Sequence, residues 1–396
     1  MVVRSRICHL WSTAADANLL LGPTALELAI VHSCLIVGGG LIGRSVAYYL
    51  SRAGIHVVLV CEEDPARIQS APTRASLGVL TRPTAGLDSL SAFYRLSHEL
   101  YDPLARQLAE ETGVDIGWTA CGGLEVAYNE QEALRLRAHV SRLQERGARC
   151  QWLSPIAAAE REPALALGMI AACLWPQDHR VDPQQLAKAL WLGALRHGAR
   201  HHPGHVAHLD GTDPPAIVLE TGEKLTADTV VLAAGAATSA LGVNLGLAPR
   251  AVRSAAGQSL QLQASVHLQG IVHWEGYHLL PTSTGDLFVG ATNDPATAYD
   301  LSDPVQPTEQ GRQELLEVAE RVLGHSCNVV QHNAGLRPKP RRGRALIAPL
   351  QPPGYYVASG HYKNGVLMAP ATGQALTAWI TEGDPGVDMT PFAIER

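Results

Sequence analysis

The stretch AIVHSCLIVGGGLIG, residues 29–43, decides the fold. Apolar and β-branched residues predict a buried strand over 29–37, and the pattern of residues 41–53 predicts a helix. Between them, Gly38, Gly40 and Gly43 match the spacing G-x-G-x-x-G. The first glycine permits a tight turn, the second lets backbone approach a pyrophosphate, and the third lets helix pack on strand. With Leu41 and Ile42 at the helix N-terminus, this turn is predicted to bind a dinucleotide.

The acidic residue that would bind the ribose of the nucleotide stands one position later in the sequence than expected. A second strand is predicted over residues 55–60, IHVVLV, which completes a βαβ unit. An acidic residue is expected about 18 residues after the turn. Cys61 holds that position and Glu62 and Glu63 follow it, so Glu62 is the expected ribose ligand, with Glu63 beside it. The glycines alone leave a purely structural turn open, and they do not choose between NAD and FAD.

Composition bounds the class of protein. The 396 residues favour two intimate domains, and a hydrophobic content of 46% is typical of a globular protein. A net charge of -6 argues against bulk nucleic-acid binding, and no apolar run reaches the length of a membrane span. The seven cysteines include no C-x-x-C pair, which favours reduced thiols in a cytoplasm and offers no zinc site. Residues 1–29 are interpreted as a leader without a secretory signal.

Helices and strands alternate at both ends of the chain, and the middle is rich in predicted strands. Predicted helices cover residues 88–112, 130–147, 155–160, 182–196, 310–324 and about 365–381. Predicted strands lie on both sides of Gly222, within 214–239, as an antiparallel set within 258–292, and over 355–358. This order indicates a cofactor domain made from separated segments, with a substrate domain inserted.

The run TVVLAAG, residues 229–235, ends in small residues. Ala234 and Gly235 would let an extended cofactor pass close to the backbone. An ordinary buried strand and turn explains the same run.

Two C-terminal strings carry a family resemblance. They are AGLRP, residues 334–338, and GHYKNGVLMAPATG, residues 360–373. With the N-terminal βαβ unit they closely resemble the D-amino-acid-oxidase superfamily, above all its glycine oxidase and sarcosine oxidase branches. WLSP at 152, VDP at 181 and VGAT at 289 support a likeness over about residues 30–390.

The resemblance implies an α/β fold, α+β overall, with non-covalent FAD. A Rossmann-like FAD-binding domain would comprise residues 30–84, 155–245 and 333–390. An inserted antiparallel-sheet substrate domain would comprise 85–154 and 246–332.

The resemblance also implies a set of flavin contacts. A helix that begins near Asn364 would aim its positive end at the N1/O2 edge of the flavin. A plain glycine-rich helix start is the alternative. The expected contacts around the ring and the adenine are Gly360, Lys363, Asn364, Gly365, Val366, Leu367, Thr73, Arg74, Ser76, Gly78, Val79 and Val206.

The substrate residues depart from the family pattern. Arg337 maps onto the family's carboxylate anchor, which a guanidinium grips through paired hydrogen bonds. Where glycine oxidases have a tyrosine three residues before a proline, this chain has His278, with Tyr277 beside it. Lys363 replaces a usual arginine. These changes favour an N-substituted glycine over glycine, and enzymes that oxidise N-carboxymethyl β-amino acids for polyketide starters are the specific candidate.

The expected reaction is an oxidation of the substrate by FAD. Hydride passes from Cα to flavin N5, the imine hydrolyses to glyoxylate and an amine, and O₂ yields H₂O₂. The alternatives are an ordinary glycine oxidase of thiamine biosynthesis, a D-amino-acid dehydrogenase and a non-catalytic flavin-binding protein. The expected partners are an amino-acid substrate and O₂, without nucleic acid or membrane, and a homo-oligomer is left open.

Five histidines at 197–208 would be compatible with a metal site. The family has a loop and a strand at this place, so no metal is predicted.

Overall fold

The first two strands and the helix between them form the predicted βαβ unit. The protein is described here from a computed structural model that places residues 32–65, 71–81, 86, 88–263, 265–282, 285–294 and 305–394. The first strand runs over Ser33–Val37, the helix over Leu41–Arg52 and the second strand over His56–Cys61. The predicted leader, residues 1–29, and the start of the predicted strand 29–37 lie outside the described residues.

The strands are numbered in chain order. They are β1 (Ser33–Val37), β2 (His56–Cys61), β3 (Val79–Leu80), β4 (Gly123–Ala127), β5 (Gln151–Leu153), β6 (Ala171–Trp175), β7 (His179–Arg180), β8 (Arg200–Pro203), β9 (Val206–Leu209), β10 (Ala216–Leu219), β11 (Lys224–Thr226), β12 (Thr229–Leu232), β13 (Val252–Gln263), β14 (Ile271–Trp274), β15 (Tyr277–Pro281), β16 (Leu287–Gly290), β17 (Asn328–Pro340), β18 (Leu346–Pro349) and β19 (Tyr355–Ser359).

The helices are numbered in the same way. They are α1 (Leu41–Arg52), α2 (Ala71–Arg74), α3 (Ser89–Glu99), α4 (Tyr101–Thr112), α5 (Glu130–Gln144), α6 (Pro155–Arg161), α7 (Pro183–Arg196), α8 (Thr238–Leu241), α9 (Glu309–Leu323) and α10 (Gly365–Glu382). The predicted helices at 130–147, 155–160, 182–196, 310–324 and 365–381 are thus confirmed to within a few residues.

A six-stranded sheet carries the glycine turn. Its order is β18-β19-β12-β1-β2-β8, and all neighbours are parallel except β18 with β19. The carboxyl ends of β1, β2, β12 and β19 therefore meet at one edge, where open α/β sheets bind their ligands. Helices α1, α7 and α10 contribute Val46, Leu190 and Leu376 to the buried core that also contains Ile36 of β1.

An antiparallel sheet of three strands, β9, β10 and β11, packs its apolar side chains with strands of the six-stranded sheet. The predicted strand of residues 216–221 belongs here as β10, whereas β12 joins β1. The prediction within 214–239 missed β11, a strand of three residues between them.

The eight-stranded sheet has the order β17-β13-β16-β15-β14-β4-β6-β5. The predicted antiparallel set within 258–292 forms its centre, but β14 pairs with β4 in parallel, so the sheet is mixed. Helix α9 covers one face, where Leu315 and Val322 are fully buried with Leu260 and Leu279.

Strand β17 was not predicted, and its Pro338 and Pro340 are unusual in a strand interior. It nevertheless pairs with β13 from Asn328 to Pro340. It lies at the edge of the sheet, where a residue without an N–H donor is tolerated. The α/β fold class is confirmed, and the resemblance rather than the periodicity had indicated Arg337, which β17 carries.

Two further expectations need correction. The predicted helix 88–112 is divided at Leu100 into α3 and α4, because Pro103 cannot donate a hydrogen bond to the preceding turn. The predicted domain boundaries also differ in places from sheet membership. Strand β6, inside the predicted cofactor segment 155–245, belongs to the eight-stranded sheet because it pairs with β4.

Candidate active site

A cavity of about 720 Å³ connects the two large sheets. The six-stranded sheet contributes the ends of β1, β2 and β19 and the residues that directly follow β12 to its wall. The eight-stranded sheet contributes residues of β13, β15 and β17, and the segment 72–81 also lines it. The volume lies within the range of cofactor and ligand sites.

The glycine turn opens onto this cavity with the expected division of roles. Gly38 has φ +115, and a Cβ there would lie 2.5 Å from the carbonyl oxygen of Ala233. A Cβ at Gly43 would lie 1.9 Å from the oxygen of Gly38, so the third glycine permits packing and does not line the cavity. Gly40 lines it with nothing near its Cβ position, and it precedes α1. This leaves backbone for a phosphate to approach.

Glu62 and Glu63 both line the cavity after the end of β2. The Glu62 side chain is 78% exposed, with its Oε2 3.8 Å from Nδ1 of His205. The side chain of Cys61 is in hydrogen-bond contact with the carbonyl oxygen of Glu63, and burial raises its pKa to about 11. The structure thus brings both candidate ribose ligands to the cavity.

Arg44 is a cavity residue that the sequence analysis did not single out. Its Nε donates to the carbonyl oxygen of Gly39 at 2.8 Å and it is 3% exposed. Burial lowers the pKa of this guanidinium, while Cys61 and nearby carboxylates act in the opposite direction. The sequence did offer one signal for this residue, since Arg44 places a cation directly after the third glycine of the turn, Gly43.

The small residues after β12 also reach the cavity. Ala234 and Gly235 line it, as does Val206 of β9. These positions offer an open path from the glycine turn towards β17.

The start of α10 forms another wall. Lys363, Asn364, Gly365 and Val366 line the cavity, so the helix N-terminus faces it. Gly360 and Leu367 do not line it. Gly360 has φ +76, and a Cβ there would lie 3.2 Å from Pro340, so this glycine shapes the turn. Leu367 packs in the core beneath.

His361 lies in the same turn and was not predicted as a site residue. It is 3% exposed and lines the cavity. Its Nε2 is 3.1 Å from the Thr372 hydroxyl, and its buried Nδ1 has no hydrogen-bond partner within the part of the chain that is described. Burial lowers its pKa to about 3, so the ring is neutral.

Four of the five residues predicted between 73 and 79 line the cavity. They are Thr73, Ser76, Gly78 and Val79. Arg74 does not, because its side chain is exposed at the end of α2.

Arg337 lines the cavity from β17, partly buried. One terminal nitrogen donates to the carbonyl oxygen of Thr292 at 3.1 Å. A Cβ at Gly257 would lie 2.0 Å from the guanidinium, so the arginine occupies space that only glycine leaves open. Burial lowers the pKa of Arg337, while Tyr362 and Asp294 raise it.

His278 and Tyr277 lie on opposite faces of β15. His278 lines the cavity, whereas the Tyr277 hydroxyl donates to Glu314 Oε1 at 2.7 Å. Adjacent strand residues point to opposite faces, so both cannot reach the same site. The expectation that Tyr277 is a site residue is therefore corrected.

Lys363 stands at an exposed part of the cavity wall. Desolvation, then the charges of Arg337 and Lys339, lower its pKa. The ring of Tyr362 lies 5.8 Å from the Lys363 ammonium and 5.4 Å from that of Lys339. Tyr362 has φ +51 and its hydroxyl donates to Asn293 at 2.8 Å. Tyr362 was not among the predicted site residues, and its only signal in the sequence was its place inside the string 360–373.

Other site types find no support in the described ranges. No group of three or more His, Cys, Asp or Glu side chains there is arranged to hold a metal ion. No helix within these ranges is both long and apolar enough to cross a bilayer.

Comparison with known proteins agrees with this geometry. A family model described as FAD dependent oxidoreductase matches residues 33–379. Glycine oxidase from Geobacillus kaustophilus is 30% identical over 92% of this chain and 97% of that protein. Glycine oxidase from Bacillus subtilis is 27% identical, with 92% of this chain and 97% of that protein covered.

Solved structures resemble the fold closely. The crystal structure of glycine oxidase from Geobacillus kaustophilus has a TM-score of 0.83 at 29% identity and covers 92% of this chain and 99% of its own. Iminodiacetate oxidase from Chelativorans sp. BNC1 shares the fold with a TM-score of 0.79 at 23% identity, over 92% of this chain and 100% of its own.

The site residues fit FAD in their chemistry. A glycine turn at a helix N-terminus can take a pyrophosphate, and a second helix N-terminus faces the far part of the cavity. The chain belongs to the D-amino-acid-oxidase (DAO) family of FAD-dependent oxidoreductases, and FAD is its cofactor.

Proposed function

We propose that the protein is an oxidase of N-substituted glycines, with Arg337 as the ligand of the substrate carboxylate. The observation that carries this proposal is the partly buried guanidinium of Arg337 in the cavity wall, where one terminal nitrogen donates to the carbonyl oxygens of Ala256 and Thr292. A guanidinium so placed suits a carboxylate, which it binds through two parallel hydrogen bonds.

The chain's own residues bind and orient the substrate. Arg337 fixes the carboxylate, and the glycine at 257 lets the guanidinium lie flat against β13. FAD, when bound in this cavity, would supply the acceptor for a hydride from Cα and the route of the electrons to O₂. The overall reaction converts R–NH–CH₂–COO⁻, O₂ and H₂O into R–NH₂, glyoxylate and H₂O₂.

The residues around the amine support a substituent on nitrogen. Tyr362 and Lys363 line the cavity, and the ammonium groups of Lys363 and Lys339 lie 5.8 Å and 5.4 Å from the Tyr362 ring, which gives this wall an aromatic face with positive charge beside it. An N-carboxymethyl amino acid carries a second carboxylate that complements such a wall. Plain glycine, the substrate named for the Geobacillus relative, is the second candidate because of the 30% identity over 92% of the chain.

Reduction of the bound flavin under nitrogen tests the substrate. We expect N-carboxymethyl amino acids to bleach the yellow protein faster than sarcosine, and sarcosine faster than glycine or D-alanine. If glycine reduces the flavin fastest, the second candidate replaces the first. If none of these amines bleaches the flavin, the proposed function is wrong.

Replacement of Arg337 tests the carboxylate ligand. Arg337→Ala should raise KM roughly 10²-fold, since a charge-assisted contact contributes about 1.5–3 kcal/mol. Arg337→Lys should recover part of that loss, because it keeps the charge without the paired donors. The exposed Arg341, replaced by Ala, is the matched control. Unchanged KM in Arg337→Ala, with flavin still bound, contradicts the assignment.

A further inference from the structure

His278 is the outer member of a chain of three polar side chains that runs inward from the cavity. Its Nδ1 lies 2.7 Å from Nδ1 of His273, and Nε2 of His273 lies 2.7 Å from Oδ2 of Asp178. His273 is 5% exposed and Asp178 is fully buried. Each of these short contacts needs one hydrogen between its two atoms, because two lone pairs or two N–H groups would repel each other at this distance.

The fold provides space for this chain. His273 and His278 are directly opposite each other on β14 and β15. Asp178 is held in a turn, where its amide donates to Trp175 and its carbonyl oxygen accepts from Gly122. A Cβ at Gly123 would lie 2.4 Å from Nε2 of His273 and 2.5 Å from Oδ2 of Asp178. Only glycine at this position lets the carboxylate and the imidazole meet.

The contacts fix the order of the protons once the ring charge is given. With Asp178 as a carboxylate and His273 as a neutral imidazole, His273 donates from Nε2 and its Nδ1 is an acceptor. His278 must then donate from Nδ1, since two N–H groups cannot face each other at 2.7 Å. The remaining nitrogen of His278, Nε2, is left as the acceptor of the ring, and His278 lines the cavity.

We propose that His278 accepts the proton of the substrate amine and that His273 and Asp178 act as positioning residues. This inference rests on the proposed oxidation of a glycine-type amine. The ammonium of the substrate gives one proton to Nε2 of His278. The proton on Nδ1 of His278 moves to Nδ1 of His273, which becomes an imidazolium beside the Asp178 carboxylate. The amine is left neutral with its lone pair, as hydride loss from Cα requires.

The relay moves the positive charge away from the reacting atoms. The cavity already holds the cations Arg337 and Lys363, which disfavour an additional imidazolium at the wall. The buried carboxylate of Asp178 favours the charge one residue deeper. The other titratable groups around Asp178, to which its charge also extends, are His98, His179 and Cys121, and Arg180 lies beside Cys121.

The pH dependence of flavin reduction tests the relay in the holoenzyme. Stopped-flow reduction at saturating substrate should lose rate at low pH, where the histidine pair already carries a proton. Asp178→Asn removes the charge that stabilises the imidazolium. It should move this acidic limb to lower pH by about one unit and lower the plateau roughly tenfold. His278→Gln should lower the plateau roughly 10²-fold.

A purely structural role predicts a different result. It lowers the rate at every pH and leaves the acidic limb where it was, and that outcome in Asp178→Asn overturns the proposal. His197→Gln is the matched control, because Nε2 of His197 lies 3.4 Å from Glu111 in another part of the chain. It should leave the limb and the plateau unchanged. The flavin spectrum and the unfolding midpoint report whether each variant is folded.

A readout without turnover separates this proposal from the proposed function. Histidine ¹⁵N spectra of the holoenzyme at pH 8 should show His278 protonated at Nδ1 and His273 at Nε2, with the signals assigned by their loss in His278→Gln and His273→Asn. A proton on Nε2 of His278 overturns the relay, even if Asp178→Asn fails to fold. If no amine reduces the flavin, the proposed function fails, while the proton order is still read from the spectrum.

Discussion

Arg337 keeps its position through a residue that has no side chain. Gly257 on β13 is paired with Gly335 of β17, and the guanidinium of Arg337 lies over it. A glycine inside a strand weakens the strand and marks a close approach. The glycine in the run AAGQS was therefore a readable signal for this contact, although no sequence pattern named the group that approaches.

Gly257→Ala should displace Arg337, because the added methyl would lie 2.0–2.3 Å from three atoms of the guanidinium. A shift of about 1 Å in a positioning group costs roughly 10²-fold in kcat/KM, and we expect a loss of that order with flavin still bound. Steady-state kinetics measure it. Ala256→Gly, the adjacent residue on the opposite face, controls for general weakening of β13. Equal kinetics in the two variants contradict the contact.

Helix α10 contains a proline that neighbouring elements compensate. Pro370 has no N–H, so the carbonyl oxygen of Val366 lacks its usual helical donor. The hydroxyl of the fully buried Tyr101 donates to that oxygen. Ser97 of α3 donates to Leu367, and Ser45 of α1 donates to Ala369, both at 2.6 Å. Side chains from three other helices thus hold the helix whose N-terminus faces the cavity.

Tyr101→Phe should destabilise the protein by about 1–3 kcal/mol, since it leaves a buried carbonyl without a donor. Urea unfolding followed by flavin fluorescence and circular dichroism measures the change. Tyr356→Phe, at a partly buried position of β19, serves as the matched control. If the two variants lose the same stability, the hydroxyl of Tyr101 does not support α10.

At the scale of the whole molecule, buried neutral histidines make stability depend on pH. His361 and His179 have pKa values lowered by burial to about 3 and about 4. The unfolded chain takes up protons on these rings below about pH 6.5, whereas the folded chain does not. Their contribution to stability is therefore complete above pH 6.5 and is lost as the pH falls towards 4 and 3.

His361→Gln should reduce the dependence of unfolding free energy on pH. One histidine with a lowered pKa contributes a slope of about 1.4 kcal/mol per pH unit in this window. Urea unfolding of the holoenzyme at several values between pH 6.5 and 4.5 measures the slope. His208→Gln, at an exposed position, should keep the slope of the parent protein. An equal slope in all three proteins contradicts a buried neutral His361.

The sequence by itself determined the features that depend on neighbouring residues. The glycine turn after β1 could be predicted because its spacing is a local motif. Helices α5 and α9 could be predicted because their apolar residues recur at three- and four-residue steps. The start of the predicted helix 182–196 was readable for the same reason, and Asp182 there accepts from two backbone amides of α7. The two C-terminal strings added the family and with it FAD.

Only the tertiary structure decided which side chains meet. It placed His278 in the cavity and turned Tyr277 away, because the face of a strand depends on its register in the sheet. It also brought Asp178 to His273, which is 95 residues away in the chain. Such contacts follow from the pairing of distant strands, and pairing is a property of the packed sheet rather than of any local run of residues.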